Sequence, residues 1–234
     1  MRYLIADLVT EYTPRYDYLD SFFKKFRYDG ERKTDLVLSV SQAYINDVYE
    51  RINEKKSLGY AESFAVGNVF FKSALRFKTM LLHSSALVIN GGAYLFAGKS
   101  GLGKSTHTRL WKQAFGDKVA FINDDKPAVR IFANEAVAFG TPFDGGSQIA
   151  ENVSAPLKAV VFIERGEENS VRIPNLGELI GCLYSSTAHM LKASSAKLML
   201  DNIDALVKSN VDFYVLTCNT DISAAYTAYD AIIK

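Results

Sequence analysis

The chain has 234 residues, 48% of them hydrophobic and 23% charged, and its 27 basic and 26 acidic residues leave a formal net charge of +1. That length can bury one substantial core, in a single large domain or a core domain with a small appendage, and the near-neutral balance excludes a general binder of nucleic acid or anionic membrane. Two cysteines, Cys182 and Cys218, lack metal-ligand spacing and read as reduced core thiols. With an acid as early as Asp7 and no apolar run of membrane-spanning length, a soluble cytoplasmic protein is expected.

Residues Arg2 to Val9 alternate toward β structure, Tyr28-Asp29-Gly30-Glu31 signals a turn, and Leu36 to Val40 is a short strand candidate. Ser41 can cap a helix whose apolar positions Tyr44, Ile45, Val48, Tyr49 and Ile52 follow the helical period. Residues 1–80 therefore read as a small α+β section whose Tyr and Phe residues are core material, with no evident chemistry. From Leu81 a strand runs to Ile89, an Asn90-Gly91 turn follows, and Ala93 to Ala97 returns as the second arm of a hairpin. Beyond a helix from Thr106 to Phe115 come strands at Val119 to Ile122, Ala128 to Phe132 and Ala136 to Phe139, the last two joined through Ala133-Asn134-Glu135. A loop Gly140 to Gly146, a buried strand Lys158 to Ile163 and a charged turn Glu164 to Asn169 complete the middle of the chain. The last third predicts helices at Leu176 to Tyr184 and Ala196 to Lys208, a strand Phe213 to Thr217, and a helix from Ile222 capped by Asp221. The whole is a mixed α/β pattern, with residues 81–234 as the main domain.

Gly98-Lys99-Ser100-Gly101-Leu102-Gly103-Lys104-Ser105 fits G-x-x-x-x-G-K-[ST] between a strand and a helix. Its glycines let successive backbone N–H groups turn around a polyphosphate, Lys104 brings a point charge to the outer phosphates, and Ser105 offers a hydroxyl to Mg²⁺. Asp124 and Asp125 end the strand after the loop's helix, where one carboxylate can share Mg²⁺ with Ser105 and the other accept a proton from an attacking hydroxyl. Side by side they repel, so one would stay protonated unless Lys126 or a metal offsets the charge, and Mg²⁺ is the expected remedy. Without the loop, Asp-Asp-Lys-Pro would read as a solvated turn. His83, on the strand paired with the one feeding the loop, could ligate a metal, bond a phosphate oxygen, or simply be a satisfied core residue. His107 and His189 have no nameable partner.

His83-Ser84-Ser85-Ala86, the hairpin, Gly98 to Thr106 and the Asp124-Asp125 pair, in this order and at these separations, resemble the active-site core of the HPr kinase/phosphorylase and ATP-dependent phosphoenolpyruvate carboxykinase superfamily. A longer run, including Thr106 to Trp111, Asn123 to Pro127, Gly140-Thr141-Pro142 and Glu164 to Asn169, is similar to small stand-alone HPr-kinase-like proteins of bacteria. The resemblance spans roughly residues 80–230. It implies a carboxykinase-like core, ATP on Gly98, Ser100, Gly101, Leu102, Gly103, Lys104, Ser105 and Thr106, and Mg²⁺ on Ser105 and Asp125. It further implies Asp124 as base or second metal contact, His83 near the γ-phosphate, and self-assembly. Two features depart from it: Phe143-Asp144-Gly145-Gly146 stands where close relatives carry a Ser-Gly-Lys ending, and the HPr kinase signature segment is absent. Arg165 is the nearest replacement cation, though a surface charge in a turn is the plainer reading.

The function expected is an ATP- and Mg²⁺-dependent kinase acting on a hydroxyl of a protein Ser, a peptide or a small molecule. The alternative is a nucleotide-binding regulator or scaffold without phosphotransfer, motivated by the altered 140–146 loop. Carboxykinase activity on oxaloacetate is disfavoured because no basic set for a dicarboxylate is recognisable.

Overall fold

The structure, a computed structural model, describes residues 1–52, 57–133, 135–143, 145–147, 149–187 and 193–233. Asn134, Asp144 and His189, which figured in the sequence reading, lie outside the described residues.

The first section opens with β1 (Arg2–Ile5) and β2 (Leu8–Glu11), an antiparallel pair, with β3 (Leu36–Val37) parallel to β2. Ala6 and Asp7 both sit at positive φ, 51° and 59°, so the stretch from Arg2 to Val9 is two strands folded on a tight turn rather than one. Around this small sheet pack α1 (Asp17–Phe23), α2 (Gln42–Arg51) and α3 (Leu58–Ala74). The Ser41 hydroxyl accepts from the Tyr44 N–H at 3.1 Å, the predicted N-cap of α2.

Helix α3 was not foreseen. It is buried nearly all round, so its sequence has no polar stripe to betray the helical period. It carries Glu62 at 0% exposure, stabilised because the carboxylate accepts from the Tyr12 hydroxyl and from the Arg15 and Tyr16 N–H groups. Gly67 sits in its interior, where a β-carbon would come within 3.3 Å of the Phe143 ring. Helix propensity is given up there, by roughly 1 kcal/mol relative to alanine, in exchange for that contact. Phe143 is itself fully buried against Phe23, Phe70 and Phe71, with ring centroids 5.9, 5.5 and 5.8 Å away. The core of the first section is thus completed by a residue from the 140–146 loop.

The remaining chain alternates β4 (Thr79–Leu81), β5 (Ser84–Ile89), β6 (Gly92–Ala97), α4 (Lys104–Phe115), β7 (Ala120–Asn123), β8 (Ala128–Phe132), β9 (Glu135–Phe139), β10 (Ser154–Arg165), β11 (Ser170–Arg172), α5 (Leu176–Ser185), α6 (Ala193–Val207), β12 (Asp212–Cys218) and α7 (Ser223–Ile232). The strands from β4 onward form a mixed sheet in the order β4-β8-β9-β10-β6-β5-β7, with β12 beside β10 and β11 beside β12, so the fold is mixed α/β. The β5–β6 hairpin closes on Asn90 and Gly91 at φ 51° and 74°, the geometry an Asn-Gly turn favours. The stretch read as one strand from Leu81 to Ile89 is broken at Leu82-His83, where β4 leaves to pair β8 and β5 turns to pair β6 and β7.

Strand alternation sorts the core onto two faces. Along β6, Leu95 faces a cluster with Leu179, Leu183 and Met199 of α5 and α6, while Tyr94 and Phe96 face Trp111 of α4 and Ala225 and Ala228 of α7. Strand direction then decides where chemistry can collect. Both β6 and β7 run antiparallel to β5, so they are parallel to each other, and β10 is parallel to β6 and β12 parallel to β10. The C-terminal ends of β6, β7, β10 and β12 and the N-terminal end of β5 therefore share one edge of the sheet. No helix among the described residues is long and apolar enough to cross a membrane.

Candidate functional site

That shared edge carries a cleft of about 700 Å³ lined by residues 100–107, His83, Asp124, Asp125 and Arg165, among others. Its floor is the turn from β6 into α4. Gly98, Gly101 and Gly103 hold φ values of 150°, 79° and 99°, a backbone path that side-chain-bearing residues rarely take. Gly103 is the N-cap of α4, so the free N–H groups and the positive end of a twelve-residue helix point into the cleft. Lys104, only 9% exposed, donates to the carbonyls of Gly98 at 3.0 Å and Lys99 at 3.4 Å. Burial draws its pKa below the ordinary lysine value, and the charges of Asp125 and Asp124 oppose that shift. A bond of 2.8 Å between the Ser85 and Thr108 hydroxyls pins α4 to β5. Arg165, at the end of β10 rather than in a free turn, donates to the Gly101 carbonyl across the loop.

The two carboxylates occupy different environments. Asp125 receives His83 Nε2 at 2.7 Å on one oxygen and Lys126 Nζ at 2.9 Å on the other. Burial pushes its carboxyl pKa up, but the His83 hydrogen bond and the Lys126 charge outweigh this and hold it well below the usual carboxylate range. Lys126, one of the two remedies expected for repulsion between the aspartates, thus takes that role at Asp125. Asp124, by contrast, keeps a buried Oδ1 with no hydrogen-bond partner among the described residues. An orphaned anionic oxygen in a cleft that also holds Ser105 fits a hard divalent cation. Among the described residues no group of three or more His, Cys, Asp or Glu side chains could hold a metal, so the remaining ligands would have to come from phosphate and water.

Sequence reasoning missed the struts of this turn. The buried Asn123 accepts at Oδ1 from the N–H groups of Asp125 and Lys126, at 2.9 and 2.7 Å, and donates from Nδ2 to the carbonyls of Thr141 and Phe143, each at 3.1 Å. Thr141 returns a bond of 2.7 Å to the Lys126 carbonyl. An Asn directly before the acidic pair at a strand end was the available signal, since such a side chain folds its own backbone into a turn. The 140–146 loop supplies no cation among its described residues. It leans on Asp125 instead, where a β-carbon at Gly145 would come within 2.9 Å of the carboxylate, while one at Gly140 would overlap the backbone carbonyl of Glu151.

His83, Ser100, Asp125 and Gly145 also line a second cleft of about 430 Å³ on the far side of Asp125. Its other walls include Tyr60, Phe64, Phe71 and Lys72 of α3, Met80 of β4 and Met199 of α6. Lys126 lies 3.6 Å over the Phe64 ring as well as beside Asp125. The first section, read as devoid of chemistry, thus contributes a wall of this cleft. His107, which had no nameable partner, accepts from Trp111 Nε1 at 2.9 Å and lies 4.0 Å from the Cys218 sulfur, and burial lowers its pKa to about 4. It is a neutral core histidine.

No protein-family model matches the chain, and no curated protein matches it. Among solved structures, the HPr(Ser) kinase/phosphatase from Coxiella burnetii is similar over 41% of this chain and 70% of that chain, at 16% identity and a TM-score of 0.29. So slight a likeness assigns neither fold nor activity, and the reading of the site stands on its residues.

Proposed function

We propose that the chain is a kinase with a carboxykinase-like core, similar to HPr kinase, that transfers the γ-phosphoryl group of ATP to a hydroxyl. The observation that carries this reading is the phosphate loop opening one helix toward an orphaned carboxylate oxygen and an Asp125–His83 pair on the same sheet edge. Gly98 to Thr106 would cradle the phosphates through backbone N–H groups, with Lys104 offsetting charge on the transferred group. Mg²⁺, when bound, would supply positive charge that offsets the charge of the phosphates. Ser105 and Asp124 would hold it, in place of the expected Asp125, whose two oxygens are already engaged. Because Nε2 of His83 is engaged with Asp125, Nδ1 is the ring nitrogen left to accept the hydroxyl proton. Arg165, crossing the loop at Gly101, would guard the phosphate side. A cytoplasmic setting belongs to the same proposal, consistent with the free thiols Cys182 and Cys218.

The test is incubation of the full chain with γ-labelled ATP, Mg²⁺ and fractionated cell extract. Asp124→Asn should abolish transfer of label while nucleotide binding persists. Transfer at the unmodified rate in that variant removes Asp124 from the site's chemistry, and tight ATP binding with no label in any fraction favours the regulatory alternative.

A further inference from the structure

We propose that the second cleft is the acceptor site, and that the acceptor is a small hydroxyl-bearing molecule with an apolar body and an anionic group. The inference rests on the kinase reading above. The two clefts share the wall made by His83, Ser100, Asp125 and Gly145, so a molecule in the second lies against the same His83 and Asp125 that face the first. Its volume of about 430 Å³ lies within the range of small-molecule pockets. A protein acceptor would instead need a docking face of roughly 800 Å² on each partner.

The lining sets the chemistry. Phe64, Phe71, Met80 and Met199 present aromatic and thioether surface, suited to an apolar body of adaptable shape. The two lysines differ. Lys126 is committed to Asp125 and the Phe64 ring, whereas the exposed Lys72 pairs with no carboxylate among the described residues. A cation without a counter-charge at the rim of an apolar cleft favours a ligand that brings a carboxylate or other anion. In the transfer, the acceptor oxygen forms its bond to the γ-phosphorus while that phosphorus loses its bond to the β–γ bridging oxygen. The electron pair of the broken bond leaves with ADP, and the hydroxyl proton passes to His83. Helix α3 is then the specificity element.

The test uses the full chain with γ-labelled ATP and Mg²⁺, offered separately the low-molecular-weight filtrate and the protein fraction of a cell extract. Lys72→Glu, Lys72→Arg and Phe64→Ala are compared with the unmodified protein, and binding of a fluorescent ATP analogue is followed in parallel. Label should enter a filtrate compound. Lys72→Glu and Phe64→Ala should each lower transfer about tenfold at limiting filtrate, the size of one charge-assisted or buried aromatic contact. Lys72→Arg should retain transfer, and analogue binding should be unchanged in all three. Label only in the protein fraction, or filtrate transfer indifferent to both disruptive variants, overturns the acceptor site and leaves the kinase standing. No label in either fraction overturns the kinase reading and the acceptor site with it.

Discussion

The cleft over the phosphate loop is built around one continuous stretch, residues 100–107, whereas the cleft beyond Asp125 is lined by side chains drawn from α3, β4, Lys126 and α6. The first is made largely of backbone, with glycines setting the path and a helix end setting the field. Such a surface suits phosphate and is indifferent to what the phosphate belongs to. The second is made of side-chain shape, so it can distinguish one organic body from another. Only the wall made by His83, Ser100, Asp125 and Gly145 belongs to both.

The sharpest way to separate the two is Lys104→Ala. It should cut phosphoryl transfer by about a thousandfold, near 4 kcal/mol of transition-state stabilisation, and leave the second cleft's shape untouched. A variant that keeps its rate would mean the loop is not the phosphate cradle. Phe143→Ala attacks the connection between the regions. Its ring fills the first section's core from the loop that presses on Asp125, so unfolding in denaturant should show a loss of about 4 kcal/mol. A loss below about 1 kcal/mol would mean that the two regions pack independently.

Asp125→Asn breaks the shared wall by removing the buried carboxylate that meets both Lys126 and His83, at roughly 3 kcal/mol near neutral pH. Because the Asp125 pKa is depressed in the fold, its stabilisation is present above about pH 3.9, the ordinary carboxylate value, and fades as pH falls toward the folded value. The stability gap between variant and parent should therefore narrow in acid below that point. His107 gives the smallest effect and a separate window. Its pKa falls from 6.5 to about 4 on burial, so below pH 6.5 the unfolded chain binds a proton that the fold refuses. Stability should drop by about 2 kcal/mol on going from neutral pH to pH 5, and His107→Gln should flatten that part of the profile.

What was legible in the sequence was what is encoded locally. The loop, its flanking strand and helix, the Asn90-Gly91 hairpin and the Ser41 cap each depend on residues within a few positions of one another. Helix α3 was hidden because burial on all sides erases the period that marks an amphipathic helix. Strand β10 starts four residues before the expected Lys158, and the added stretch includes Pro156. In the fold it is the last residue paired with β9 and precedes Leu157, the first paired with β6. The division of labour at the carboxylates was equally hidden, since the His83–Asp125 contact spans 42 positions and nothing in the tetrapeptide says which acid will be met by it.

Trp111 is the chain's only tryptophan, and it lies fully buried two turns along the helix that the phosphate loop opens. Its indole hydrogen sits on His107, with Phe96 and Tyr94 on the adjoining strand as ring neighbours at 5.5 and 6.3 Å. The protein therefore carries its own optical label beneath the proposed nucleotide cradle. Emission excited at the indole band reads one environment, without competition from a second indole. Any strain that nucleotide loading transmits down the helix should register as a change in that light, with no dye attached.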